Sequence, residues 1–221
     1  ASVQRCPVIG GTLKSFDAGE AMKVPGVVKV VEAERKVGKY NYVGVAVVAN
    51  SYWAALKARK LLKIDWDTKG FETFNSTDYE NKLRSLGNED GVIDKQIGSV
   101  GNVTASTAHT IEAFYETPVV AHSTMEPMNC TVHATGGKLE IWASTQVSSS
   151  VTGEKDGNLP ALTGFKPENV TFHEGFVGGG FGRRLYLDFM VEAVNIAKQI
   201  DKPVKVIWSR EDTTQFGPFR P

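Results

Sequence analysis

The sequence predicts an α+β fold, and three observations support that prediction. Runs of β-branched residues at 27–31 and 42–49 are typical of buried strands, whereas apolar residues recur at helical spacing between 53 and 62. A polar, glycine-containing segment at 71–103 separates two such regions. Hydrophobic residues make up 41% of the chain and charged residues 23%, which is the composition of a folded protein with a buried core.

The first region is predicted to run helix, strand, strand, helix, strand. Asp17 stands three residues before Glu20, a capping-box spacing that predicts a helix within residues 15–23, ended by Pro25. Ser51 can cap the second helix. The remaining elements are strands at 27–31 and 42–49, a helix at 53–62 and a strand around 64–66.

The segment 71–103 is predicted to be a linker with one short helix at 79–86, and strands dominate after it. Gly136 and Gly137 mark a hairpin turn. The predicted elements are strands at 110–115, 130–134, 139–144 and 169–176, a helix at 187–197 and a strand at 204–208. The last strand-to-helix connection before residue 187 is rich in glycine.

Charge and composition exclude several classes of protein. The 25 basic and 25 acidic residues cancel, so no overall field favours nucleic acid as a partner. No run approaches the ~20 apolar residues of a membrane span, so any membrane association is expected to be indirect. Cys6 and Cys130 form no CxxC motif, and neither a disulfide framework nor a metal site is predicted.

The stretch VGGGFGRR, from Val177 to Arg184, carries the chemistry. Four glycines within five residues allow backbone N–H groups near a helix N-terminus to approach a ligand closely. Such an arrangement favours an anionic ligand. The spacing fails GxGxxG at Arg183 and lacks the Gly-Lys of a Walker A loop. Arg183 and Arg184 could add bidentate phosphate contacts. The alternative is a tight turn with no ligand, flanked by two exposed charges.

This loop resembles the GGGFG cofactor loop of the molybdenum-binding large subunits of the xanthine dehydrogenase and aldehyde oxidase superfamily. The branch that it most resembles contains the isoquinoline 1-oxidoreductase β-subunits and the membrane-bound aldehyde dehydrogenases. Almost the whole chain takes part in the resemblance. The matching blocks are RCPVIGGTLKSFDA from Arg5, YWAALKARKLLKIDWD from Tyr52, AHSTMEPMNCTVH from Ala121, WASTQ from Trp142 and VIWSREDTTQFGPFRP from Val206.

The resemblance implies a domain division. Residues 1–70 would be a partial α/β hammerhead domain, 71–103 a linker, and 104–221 the N-terminal part of the molybdopterin-binding domain. It also implies that the sequence is a segment of a longer hydroxylase, which we expect to be inactive alone. The family's catalytic glutamate is expected beyond Pro221, so no catalytic residue and no metal ligand are predicted here.

The resemblance also implies a set of cofactor-binding residues. The loop would lie against molybdenum and the dithiolene of a molybdopterin dinucleotide, with the N–H of Phe181 directed at a metal oxygen. Gln146 would donate to an oxo ligand, and the two arginines would reach the pyrophosphate or the terminal nucleotide. The predicted set is Gln146, Gly178, Gly179, Gly180, Phe181, Gly182, Arg183 and Arg184. Glu126, His122 and His133 are left out of catalysis.

The implied function is oxidation of an aldehyde, or hydroxylation of an N-heteroaromatic ring, with water as the oxygen source. Iron-sulfur clusters on a small partner subunit would take the electrons. Leu185 stands where xanthine-type enzymes carry an acid, which makes a purine substrate doubtful. Two alternatives stay open: a non-enzymatic module that binds a nucleotide or phosphate through VGGGFGRR, and a purely structural domain. Localisation is undetermined, with the periplasm slightly favoured.

Overall fold

The computed structural model describes residues 1–38, 40–98, 109 and 111–220. Residues 1–72 and 119–220 form one compact unit, and residues 73–118 form a second. The second unit contains an exposed helix, Ser76–Leu86, whose N-cap Asn75 accepts hydrogen bonds from the N–H groups of Thr77 and Asp78. Within these described ranges no helix is long and apolar enough to cross a membrane.

The first 86 residues contain five strands and three helices among those described. They are β1 (Ser2–Arg5), β2 (Thr12–Asp17), α1 (Gly19–Met22), β3 (Val27–Val37), β4 (Tyr40–Ala49), α2 (Tyr52–Arg59), β5 (Lys63–Asp67) and α3 (Ser76–Leu86). Strands β1, β4 and β3 form an antiparallel sheet in that order, and β2 pairs separately with β5. Ser51 caps α2 by accepting from the N–H of Ala54, as predicted.

The rest of the chain builds a second sheet. Its elements are β6 (Val120–Ala121), β7 (Asn129–Thr135), β8 (Lys138–Ala143), α4 (Ser149–Thr152), α5 (Leu159–Thr163), β9 (Val170–Glu174), α6 (Asp188–Ala197), β10 (Val204–Ile207), α7 (Arg210–Phe216) and β11 (Phe219–Arg220). The order is β10-β7-β8-β9, with β8 and β9 parallel and the other pairs antiparallel. Short strands β6 and β11 pair with each other.

Helix α6 is the centre of the core of this unit. Apolar residues occupy nearly its whole circumference, and it packs against β3 of the first sheet and β7 of the second. Its residues share one buried cluster with Val3, Val31, Ile141 and Trp208. The N–H of Ile207 donates to the carbonyl of Ala1, which links the edges of the two sheets. Residues 1–72 and 119–220 are therefore held together by a common core.

The predicted helix at 15–23 was wrong over its first half. Residues 12–17 form β2, in which Phe16 pairs with Ile64 of β5, and only 19–22 are helical. Asp17 does not cap that helix; its carboxylate accepts from the N–H of Gly19 in a local turn. Pairing with a distant strand outweighed a local capping signal.

Most other predicted elements are confirmed, with shifted ends. Strand β3 runs six residues past residue 31, to Val37. Gly136 and Gly137 both have positive φ, 55° and 75°, as a two-residue hairpin turn requires. The predicted strand at 110–115 is absent from residues 111–115, and Thr110 lies outside the described residues. The α+β class is confirmed, whereas the hammerhead assignment and the boundaries at 70 and 104 stay predictions.

Candidate functional site

The glycine-rich loop connects β9 to α6, as predicted. Gly179 and Gly182 have φ values of 96° and 91°, and Phe181 between them has φ of 50°. This left-handed backbone is unfavourable for a residue with a Cβ and is strained at Phe181. The chain therefore curls tightly before the 3-10 turn at 183–185 that leads into α6. We call residues 178–184 the glycine loop.

Two of its glycines are required because other side chains fill the space beside them. A Cβ on Gly178 would lie 2.5 Å from the Cβ of Glu126. A Cβ on Gly180 would lie 2.3 Å from Oε1 of Gln146. Real Cβ atoms do not approach neighbours this closely, so any larger residue would move the loop or its neighbours. The loop thus packs directly against Glu126 and Gln146.

Three successive backbone N–H groups of the loop are unused. Within the part of the chain that the structure describes, those of Gly179, Gly180 and Phe181 donate to no protein acceptor. The flanking N–H groups of Gly178 and Gly182 are both bonded, to Glu126 and Gln146. Unpaired consecutive N–H groups in a curled backbone form an anion-binding concavity. This arrangement meets the need of a ligand with several acceptor oxygens or sulfurs.

Gln146 lies three residues beyond β8 and is fixed to the loop at two points. Its backbone N–H donates to the carbonyl of Arg184 at 3.1 Å. Its Oε1 accepts from the N–H of Gly182 at 3.1 Å. Since that contact occupies the amide oxygen, the Nε2 group is left as a donor beside the loop. The geometry is compatible with the predicted donor role.

Arg183 is directed into the protein rather than into solvent. It is 1% exposed and forms a bidentate pair with Asp188, Nη1 to Oδ1 at 2.7 Å and Nη2 to Oδ2 at 2.9 Å. Its guanidinium also lies 5.2 Å from the ring of Trp208. The Arg183 side chain therefore anchors the loop to the first turn of α6.

Arg184 is fully buried and holds the other side of the loop. Its Nε donates to the carbonyl of Gly179 at 3.0 Å, and its Nη1 to that of Ser144 at 3.2 Å. Its Nη2 donates to Glu126, to the backbone carbonyl at 3.1 Å and to Oε2 at 2.8 Å. Both guanidiniums are thus used internally in this structure. The predicted phosphate contacts of Arg183 and Arg184 stay predictions.

Sequence reasoning missed the structural importance of Glu126. Two adjacent arginines that enter a protein interior need carboxylates, and this charge balance is the signal that could have pointed to it. His122 also lies against the loop, since a Cβ on Gly182 would be 3.4 Å from its Nε2. Burial and the charge of Arg183 lower the pKa of His122. His133 lies on β7, paired in register with Glu140.

Comparison with known proteins identifies the family of this chain. A model of the molybdopterin cofactor-binding domain matches residues 85–220, well over half of the chain. The chain belongs to this family. The resemblance inferred from the sequence is therefore confirmed, and residues 178–184 lie within the matched part of the chain.

Two relatives and one solved structure illustrate the family. The chain is 33% identical to isoquinoline 1-oxidoreductase subunit beta of Brevundimonas diminuta, over 100% of this chain and 28% of that protein. It is 33% identical to membrane-bound aldehyde dehydrogenase (pyrroloquinoline-quinone) of Gluconacetobacter polyoxogenes, over 96% of this chain and 27% of that protein. Quinoline 2-oxidoreductase from Pseudomonas putida 86 has the same fold, with a TM-score of 0.66 at 20% identity over 96% of this chain and 31% of that one.

The chain thus spans little more than a quarter of the length of these two relatives. The residues present nevertheless fit a molybdopterin, which is a polyanion. Among the described residues, three N–H groups of the loop have no protein acceptor and could donate to it, and Nε2 of Gln146 is a further donor beside them. Among the described residues, no group of three or more His, Cys, Asp or Glu side chains could hold a metal ion directly.

Proposed function

We propose that this chain contributes part of the molybdopterin-binding site of a molybdenum-dependent oxidoreductase. Its substrate would be an aldehyde or an N-heteroaromatic ring. The observation that carries the proposal is the run of three unused N–H groups at Gly179, Gly180 and Phe181, in a loop that belongs to the molybdopterin cofactor-binding family. Such donors bind an anionic group without any rearrangement.

The residues of the loop would hold the cofactor and stabilise negative charge on it. The bound cofactor would supply the two-electron oxidation of the substrate carbon, with water as the source of oxygen. The N–H groups of Gly180 and Phe181 would donate to its acceptor atoms, and Nε2 of Gln146 would donate from the side. Because these donors are fixed in advance, they favour developing negative charge at no cost of reorganisation.

The exposed apolar side chains around the loop support the proposal that the substrate is uncharged. Phe181 is 73% exposed, Met125 85% and Leu185 52%. An aldehyde or a flat heteroaromatic ring could cover such groups, and burial of apolar surface would favour its binding. Leu185 offers no carboxylate to orient a purine. The substrate class is therefore proposed to be apolar or aromatic.

The proposed enzyme also needs an electron acceptor. We propose a small subunit with iron-sulfur clusters, since one relative is itself named as a subunit beta.

Analysis of the bound groups tests the proposal. The full-length enzyme that contains this sequence, purified from a host that makes molybdopterin, is expected to contain stoichiometric molybdenum and pterin. One relative is named as an aldehyde dehydrogenase that uses pyrroloquinoline quinone, so the same sample is also analysed for that quinone. Quinone without molybdenum or pterin would overturn the proposal, and so would a protein that takes up none of the three. The nucleotide-binding alternative gains no support from the comparisons.

A further inference from the structure

We propose that Glu126 is a positioning residue that holds the glycine loop in the shape that receives the cofactor. This inference rests on the proposed function and extends it to a residue that lies 52 positions before the loop. Glu126 is not itself placed in contact with the ligand. It acts through Gly178 and Arg184, which begin and end the loop.

Glu126 contacts both ends of the loop with one carboxylate oxygen. Oε2 accepts from the N–H of Gly178 at 3.0 Å and from Nη2 of Arg184 at 2.8 Å. The backbone N–H of Glu126 donates to the carbonyl of Gly178 at 3.1 Å. Arg184 in turn donates to the carbonyl of Gly179. The loop is thereby closed into a ring by a charge-assisted clamp.

The clamp leaves the next three N–H groups free. Glu126 accepts from the N–H of Gly178 and Gln146 accepts from that of Gly182, while the groups between them have no protein partner among the described residues. Phe181 has an unfavourable φ of 50°, a conformation that persists only where the surrounding structure holds it, and both flanks of this residue are hydrogen-bonded. If the clamp were released, the strained turn could relax and the three N–H groups would lose their present arrangement.

The segment that carries Glu126 is itself held in place. Its Oε1 accepts from Nδ2 of Asn129 at 2.8 Å, and its carbonyl accepts from Oγ1 of Thr124. Arg210 donates to the carbonyls of Thr124 and Met125. A carboxylate positioned by this many contacts is preorganised, and such supporting contacts are needed for a precise binding site.

The test, made in the full-length enzyme that contains this sequence, compares Glu126→Gln and Glu126→Ala with the unaltered protein and with Glu140→Gln. Glu140 is a matched control because it is a similarly exposed carboxylate that pairs with His173 and with no residue of the glycine loop among those described. Affinity for free molybdopterin is measured by ultrafiltration. We expect Glu126→Ala to weaken binding by roughly 10- to 100-fold, the usual effect of removing a contact that orients a binding group. Glu126→Gln should lose less, because its amide oxygen can still accept from Gly178.

Hydrogen exchange of the peptide that contains the loop provides a measurement without cofactor. The N–H of Gly178 is expected to exchange faster in both Glu126 variants and unchanged in Glu140→Gln. Circular dichroism confirms that each variant is folded, and Glu126→Gln decides the matter if Glu126→Ala does not fold. Equal exchange and equal affinity in all four proteins would overturn the positioning role. An unaltered protein that binds no molybdopterin would instead overturn the proposed function. The hydrogen-exchange rates alone would then show whether Glu126 holds the loop.

Discussion

Arg183 and Asp188 form a bidentate ion pair in the interior, with both side chains about 1% exposed. The pair joins the end of the glycine loop to the first turn of α6. Asp188 also accepts from Nη1 of Arg35 at 2.8 Å, which brings in β3 of the first sheet. The loop is therefore anchored to an element more than 150 residues earlier in the chain.

The ion pairs continue beyond Asp188. Glu192, one turn later on α6, accepts from Nε of Arg5 at 2.9 Å and from the indole N–H of Trp208 at 2.8 Å. Asp212 pairs with Arg5 and with Arg59 of α2. Guanidiniums of Arg5, Arg35 and Arg183 lie within about 5 Å of the same Trp208 ring. Each of these guanidiniums has a carboxylate partner, whereas the buried Nε atoms of Arg35, Arg59 and Arg183 donate to no partner among the described residues.

Substitution of Asp188 by Asn should destabilise the protein by about 3–5 kcal/mol, because it removes a buried carboxylate that pairs with both Arg183 and Arg35. The free energy of unfolding is measured by urea denaturation. Asp65→Asn is the control, since Asp65 and Lys14 form an exposed pair at 3.9 Å. Such a pair contributes about 0–1 kcal/mol. A loss for Asp188→Asn no larger than that of the control would contradict this role.

Acid should weaken the fold through the same carboxylate. Burial alone would raise the pKa of Asp188, but the charges of Arg183 and Arg35 outweigh it, and the folded-state pKa lies below the ordinary value. A lowered pKa contributes stability that is present above the unfolded pKa of about 3.9 and is lost as the pH falls through the folded pKa.

The measurement is the free energy of unfolding between neutral pH and strong acid. The unaltered protein is expected to lose stability below a pH of about 4. Asp188→Asn should begin less stable and show a shallower decline over that acidic window, since it has no carboxylate to protonate. Parallel pH profiles for the two proteins would refute the assignment to Asp188.

Ser209 caps α7, and its removal should cost about 1 kcal/mol. Its Oγ accepts from the N–H of Asp212 at 3.1 Å, and the carboxylate of Asp212 accepts from the N–H of Ser209 at 2.9 Å. Ser209→Ala is compared with Ser85→Ala by chemical denaturation. Ser85 is exposed and its hydroxyl donates only to the carbonyl of Lys82, so that control should stay within about 0.5 kcal/mol. Equal effects would show that the capping box adds nothing.

The parts of the fold that local patterns determine were predictable. The helix capped by Ser51, the hairpin at Gly136-Gly137 and the apolar periodicity of α6 all depend on neighbours a few residues away. The glycine loop was predicted for the same reason, because four glycines in five residues have few structural uses.

Features that depend on distant partners were not predictable. The Asp17-Glu20 spacing indicated a helix, yet residues 12–17 pair with β5 at residues 63–67. The inward direction of Arg184 depends on Glu126, 58 residues before it. No local pattern indicates that two arginines beside a glycine loop will find buried carboxylates rather than an exposed anion. Only the assembled core decides between these outcomes.

The contact between Gly180 and Gln146 provides the last prediction. A Cβ at position 180 would lie 2.3 Å from Oε1 of Gln146, so Gly180→Ala must displace that amide or the loop, at a cost of roughly 1–3 kcal/mol. Molybdopterin affinity should fall as well, since the free N–H groups move.

The double variant Gly180→Ala with Gln146→Ala separates the two effects. Removal of the Gln146 side chain creates room for the new methyl group, so stability should recover towards that of Gln146→Ala alone. Affinity should not recover, because the amide donor is then missing. Gly175→Ala is the matched control: a Cβ there would meet only the carbonyl of Ala143, at 3.9 Å, an ordinary contact. Additive stability losses in the double variant would show that the two residues do not compete for the same space.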